Sequence, residues 1–91
     1  LCGSTRFMEA FHHANLEESL KGNIVLTVAL DRNTDPEQKR FLDQLYMRKI
    51  DLADEILVLN VGGYIGESTR NEIAYAGQLG KPIRYLEPWS D

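Results

Sequence analysis

Gly62, Gly63 and Gly66 stand between a continuous apolar run, Ile56-Leu57-Val58-Leu59, and a stretch of helical periodicity that opens at Glu67-Ser68. Bare backbone amides at such a junction, with the positive end of a helix dipole behind them, suit a phosphate or a carboxylate. The spacing is neither a P-loop, which needs Gly-Lys-Ser/Thr, nor the dinucleotide fingerprint G-x-G-x-x-G. A plain turn that requires positive φ accounts for the same glycines equally well. Glu72 follows in what reads as the first turn of the helix. A carboxylate at the floor of a cleft there can attack a sugar carbon as its base departs. Thr69-x-x-Glu72 is also the pattern of a capping box, in which the same carboxylate bonds back to the backbone.

Ser4, Thr5 and Arg6 follow the short run Leu1-Cys2. A hydroxyl and a guanidinium at a helix start make a phosphate grip, although Ser4 or Thr5 also serves as a simple N-cap. Arg6 has Glu9 as its nearest candidate salt-bridge partner. His12 and His13 are adjacent and point in different directions, so they read as solvated rather than as metal ligands. Asp51, Asp54 and Glu55 read as surface charges or caps around the end of a helix.

These side chains need a frame, and the periodicities supply one. Phe7, Ala10, Phe11 and Ala14 recur at helical spacing and predict a helix over 5–20. Residues 23–30, Asn-Ile-Val-Leu-Thr-Val-Ala-Leu, are short, continuous and β-branched, which predicts a strand covered on both faces. Asp35-Pro36-Glu37-Gln38 reads as an N-cap, a proline at the first helical position and a capping-box partner. The helix that follows carries the stripe Leu42, Leu45, Tyr46, Ile50 and Ala53. Ile56–Leu59 is the next strand, and a third helix carries Ile73, Ala76 and Leu79 up to a C′ residue at Gly80. Ile83 to Leu86 closes the series.

The order β-α-β-α-β-α-β predicts an α/β fold with one domain over residues 1–91, Rossmann-like or flavodoxin-like. The expected sheet has four parallel strands in the order 2-1-3-4, with helices on both faces. Ligands of such sheets bind at the carboxyl ends of the strands where the winding reverses. The loops from Gly3 to Arg6 and from Asn60 to Glu72 meet there. Asn60, Gly63 and Tyr64 thereby join the nucleotide-binding candidates, Tyr64 as a ring to stack on base or sugar.

Composition narrows the classes. The chain has 91 residues, 43% apolar and 26% charged, which fits a single globular core. A net charge of -4 without a basic patch argues against duplex nucleic acid as a partner. One cysteine, Cys2, cannot close an internal disulfide. No apolar run approaches the ~20 residues needed to cross a bilayer, so no membrane association is expected. The absence of a charged-then-apolar leader and the lone cysteine predict a cytoplasmic protein, and a start at Leu1 rather than Met suggests upstream residues.

Leu1-Cys2-Gly3-Ser4-Thr5-Arg6, Ala53-Asp54 before a buried strand, Asn71-Glu72 and Leu79-Gly80-Lys81-Pro82-Ile83 occur in this order. In that combination the chain resembles the nucleoside 2-deoxyribosyltransferase superfamily over essentially its whole length. Its first loop is most similar to that of the 2'-deoxynucleoside 5'-monophosphate N-glycosidases. The resemblance implies a small doubly wound sheet and a glutamate nucleophile, which falls on Glu72. It also implies a 5'-phosphate held by Gly3, Ser4 and Arg6, with Gly66 and Ser68 touching phosphate or sugar. Neither a metal nor an organic cofactor is implied, and relatives form at least dimers. A homodimer or higher homo-oligomer is therefore expected, with Tyr85, Trp89 and the tail Glu87-Pro88 as candidate contacts.

Two carboxylates of the family pattern are replaced. Tyr46 stands eight residues before Asp54, and Gly66 six residues before Glu72, where family members carry aspartates. Tyr46 is then the candidate proton or hydrogen-bond donor to the leaving base, with Asp43 one turn upstream. The sequence therefore leaves three readings: cleavage or transfer of an N-glycosidic bond, a nucleotide sensor that kept the cradle and lost the chemistry, and an assembly module.

Overall fold

A computed structural model describes residues 1–28 and 35–88. The elements are β1 (Cys2–Gly3), α1 (Met8–Leu20), α2 (Pro36–Leu52), β2 (Ile56–Leu59), α3 (Glu67–Gln78) and β3 (Ile83–Tyr85), with 3₁₀ turns at Thr5–Phe7 and Val61–Gly63. The strands form one parallel sheet in the order β1-β2-β3. Cys2 and Gly3 align with Val58 and Leu59, and Ile56, Leu57 and Val58 with Ile83, Arg84 and Tyr85.

The α/β class and the parallel direction agree with the sequence, whereas the four-stranded sheet of order 2-1-3-4 does not. Among its described residues the segment expected to be its second strand makes a single parallel bridge, Cys2 to Val28, with the Val28 amide donating to the Leu1 carbonyl at 2.8 Å. β1 is only two residues long and offers no longer ladder. Cover is missing as well: Ile24 is 93% exposed, so the β-branched run lacks the two-sided burial that would hold it in a sheet. Residues 29 and 30 of the expected strand lie outside the described residues.

β2 is the hub because its side chains alternate between two apolar layers. Val58 and Ile56 join Cys2, Tyr46, Ile50 and Ala76 beneath α2 and α3. Leu59 packs on the other face with Phe11 and Ala14 of α1, and Leu57 lies against the same group. Burying each such aliphatic side chain stabilises the fold by roughly 1.5–3 kcal/mol. Leu45 and Leu79, expected on apolar stripes, remain 36% and 44% exposed.

Helix boundaries follow their local chemistry. The Asp35 carboxylate accepts the Gln38 amide at 2.8 Å while the Gln38 side chain accepts the Asp35 amide at 3.1 Å, so the capping box read from the sequence is formed. At the end of α3 the Gly80 amide donates to the Gly77 carbonyl and that of Lys81 to the Ala76 carbonyl, with Gly80 at φ 72°. This is the Schellman arrangement expected of a glycine at C′. The first helix starts later than residue 5, because the Ser4 hydroxyl caps the Arg6 amide of a 3₁₀ turn and Phe7 breaks the helical path at ψ 46°.

Candidate functional site

Glu72 sits six residues past the N-cap Gly66, in the second turn of α3 rather than the first. That position is too deep for a capping box, and no side chain caps the helix. The residue is 6% exposed, and its carboxyl accepts no hydrogen bond from any described residue. Burial, reinforced by the Asp43 charge, pushes it up to about 8, with Lys39 opposing. Asp43 and Lys39 form an ion pair at 3.0 Å on α2. On β1, burial first and then the Glu72 charge drive the Cys2 thiol up to about 12, so it is no nucleophile. Glu72 is therefore a largely buried acid between β1, α2 and α3 whose oxygens still touch solvent, with a pKa raised enough to keep its proton at neutral pH.

The loops after β1 and β2 meet across the sheet edge. Arg6 Cζ stands 4.3 Å from the centroid of the Tyr64 ring, and the Phe7 ring meets Tyr64 edge-on at 5.9 Å. Arg6 pairs with no carboxylate among the described residues, Glu9 included, so its cationic head faces water while its plane is held by the ring. Tyr64 also approaches Gly66: a Cβ built there would lie 3.5 Å from the tyrosine hydroxyl. Ser68, half-buried, lies in the first turn of α3 behind that uncapped terminus. Arg6 and Gly66 thus both approach Tyr64, and Ser68 follows two residues after Gly66 in the chain.

Other candidates are committed elsewhere. Asn60 is fully buried, and its side-chain amide holds the backbone of Glu87 at both ends: Nδ2 donates to the carbonyl at 3.1 Å and Oδ1 accepts the amide at 2.9 Å. The Gly63 amide donates to the Asn60 carbonyl, and that of Gly62 to Glu87 Oε2 at 2.9 Å. With φ at 64° and 79°, Gly62 and Gly63 shape the turn. Gly3 is favoured by close packing: a Cβ there would lie 3.1 Å from the Leu59 Cβ. Ser4 spends its oxygen on the Arg6 amide at 3.3 Å. The Tyr46 ring lies in the core and 5.2 Å from Lys49 Nζ.

The charged pairs outside the site are structural. Glu18, held down to about 2 by Lys21 and then Arg84, ties α1 to β3, and Arg84 also meets Glu55 at 2.6 Å. Asp51 accepts the Tyr75 hydroxyl at 2.6 Å. A cleft of about 720 Å³ lies where β2 begins, away from Glu72, lined by Glu18, Ile24, Leu26, Lys49 and Ile56 among others. Among the described residues no helix is long and apolar enough to cross a membrane. Glu87 was missed as a member of the loop system because the partnership joins residues far apart in sequence. No family model, no curated protein and no solved structure matches the chain.

Proposed function

We propose that the chain binds a nucleoside 5'-monophosphate or a related nucleotide and breaks its N-glycosidic bond, with Glu72 as the nucleophile. The observation that carries this reading is Glu72, a residue only 6% exposed whose carboxyl has no hydrogen bond among the described residues and keeps a narrow contact with solvent. Burying an ionisable group that stabilises nothing around it is costly, and such groups concentrate where chemistry is done. The unpaired Arg6 and the uncapped start of α3 support an anion nearby. The likeness of the first loop to that of the nucleotide N-glycosidases supports a 5'-phosphate as that anion.

In the step proposed, an ionised Glu72 oxygen bonds to C1' while the C1'–N bond breaks and its electron pair leaves with the base, which takes up a proton. Water or a second base then displaces the carboxylate from C1'. Base release from a panel of nucleotides, measured for the wild-type chain and for Glu72→Gln and Glu72→Ala, tests the assignment. A loss of more than about a hundredfold in both variants is expected. Undiminished release in Glu72→Gln overturns it.

A non-catalytic sensor is the second reading, favoured by the core position of Tyr46, which leaves the leaving base without the family's aspartate. Nucleotides that raise the melting temperature but are never cleaved select the sensor.

A further inference from the structure

We propose that Glu87 is the positioning residue of this site, fixing the glycine turn after β2 so that Tyr64 presents its face to Arg6 and the anion-binding end stays open. The inference rests on the nucleotide reading above and names a residue that the reading does not use. Three hydrogen bonds of Glu87 carry it. The Asn60 side chain takes the Glu87 amide and carbonyl at 2.9 and 3.1 Å, extending the ladder begun by the Leu86 amide on the Val58 carbonyl at 2.8 Å. The Glu87 carboxylate then reaches across to the Gly62 amide at 2.9 Å.

That carboxylate occupies the backbone donor that a ligand phosphate would otherwise seek on the glycine turn, and the Gly63 amide is already spent on Asn60. A second negative group is repelled from this end. The ligand's phosphate is left with Arg6 and the start of α3, on the far side of Tyr64. The turn closes on its own bonds, the Gly63 amide on the Asn60 carbonyl at 2.9 Å and the Tyr64 amide on the Val61 carbonyl at 3.2 Å. Because glycines at positive φ have little stiffness of their own, the Glu87 carboxylate adds a clamp from outside. Tyr64, next in sequence, inherits its place from it.

Glu87→Ala and Glu87→Gln separate this role from a structural one. Gln keeps an oxygen acceptor for the Gly62 amide, whereas Ala has none. Hydrogen exchange of the Gly62 amide and calorimetric binding of each common deoxynucleoside 5'-monophosphate are measured on all three chains. Exchange faster by about tenfold and binding weaker by about tenfold in Glu87→Ala, both largely restored in Glu87→Gln, are expected where the acceptor oxygen on the Gly62 amide is what matters. Binding unchanged in Glu87→Ala, with or without faster exchange, overturns the positioning role and leaves the proposed function standing. A wild-type chain that binds none of the monophosphates overturns the proposed function and this inference with it.

Discussion

Arg6 Cζ stands 4.3 Å from the centroid of the Tyr64 ring, so a cation over an aromatic face joins the loop after β1 to the loop after β2. The contact depends on the ring and not on its hydroxyl, and at an exposed site is worth roughly 0.5–1 kcal/mol. Tyr64→Phe is therefore expected to bind nucleoside monophosphates as the wild type does. Arg6→Ala is expected to weaken the monophosphate by about tenfold while barely changing affinity for the unphosphorylated nucleoside, because only the charged contact is lost. Titration calorimetry with both ligands checks the pair. Equal losses for both ligands assign Arg6 to loop shape instead of phosphate.

Glu72 also controls stability. Its carboxyl titrates near 4.5 when unfolded and about 8 in the fold, so between those values the unfolded chain has released a proton that the native chain keeps. The contribution is complete below the unfolded value and is lost progressively as pH rises to about 8, a change on the order of a few kcal/mol. Urea unfolding of the wild type is expected to show stability falling over that window relative to Glu72→Gln, which has no charge to expose. Parallel curves for the two chains contradict the buried carboxyl.

The same titration predicts an activity profile. A nucleophilic Glu72 acts only when ionised, so base release is expected to climb with pH and level off above about 8. Asp43 raises this value and Lys39 lowers it. Asp43→Asn should therefore move the midpoint towards lower pH and Lys39→Met towards higher pH. Rate–pH curves for the three chains check both directions, and shifts of the opposite sign rule out Glu72 as the titrating group.

Legibility in the sequence tracked the range of the interaction. The Asp35–Gln38 capping box, the Gly80 C′ turn and the strand Ile56–Leu59 are set by near neighbours, and each stands where its residues predicted. The four-stranded sheet failed because strand length depends on partners: Val28 finds one bridge on a two-residue β1, and Ile24 finds no cover. At the site, the approach of Arg6 and Gly66 to Tyr64 joins the two loops at the ends of β1 and β2, which the strand order brings side by side. The engagement of Asn60 and Gly62 by Glu87 was hidden by a separation of 25 to 27 residues in the chain. The competition at Glu72 between capping and a buried carboxyl turned on three residues of helix phase, since the N-cap is Gly66 rather than Thr69 and leaves Thr69 and Glu72 inside the helix.

Glycine tolerance separates the two roles in the loops. Ala at Gly66 meets only ordinary contacts, at 3.5 Å from the Tyr64 hydroxyl and with φ at -76°, so stability is expected to change by less than about 0.5 kcal/mol. Ala at Gly62 has open space but must adopt φ 64°, costing about 1–2 kcal/mol. Ala at Gly3 has allowed backbone but tight contacts, 3.1 Å from the Leu59 Cβ and 3.2 Å from its carbonyl oxygen, so β1 and β2 must ease apart by a few tenths of an ångström, at a cost of about 1 kcal/mol. Urea midpoints of the three variants check the ranking.

Asn60 offers the severest test of the loop architecture. It is fully buried and its amide satisfies two backbone groups of Glu87, so removal orphans a donor and an acceptor together. Asn60→Ala is expected to cost about 2–4 kcal/mol, from those two bonds and the cavity left behind. Asn60→Asp is nearly the same size and still accepts the Glu87 amide, yet it has no donor for the carbonyl and places a charge where water is excluded. Its loss is therefore expected to exceed that of a single hydrogen bond and to shrink at acid pH, where a protonated carboxyl again donates. Unfolding of Asn60→Asp near pH 4 and near pH 8 checks this: equal destabilisation at both places the side chain in water, and a larger loss at pH 8 places it on the Glu87 backbone.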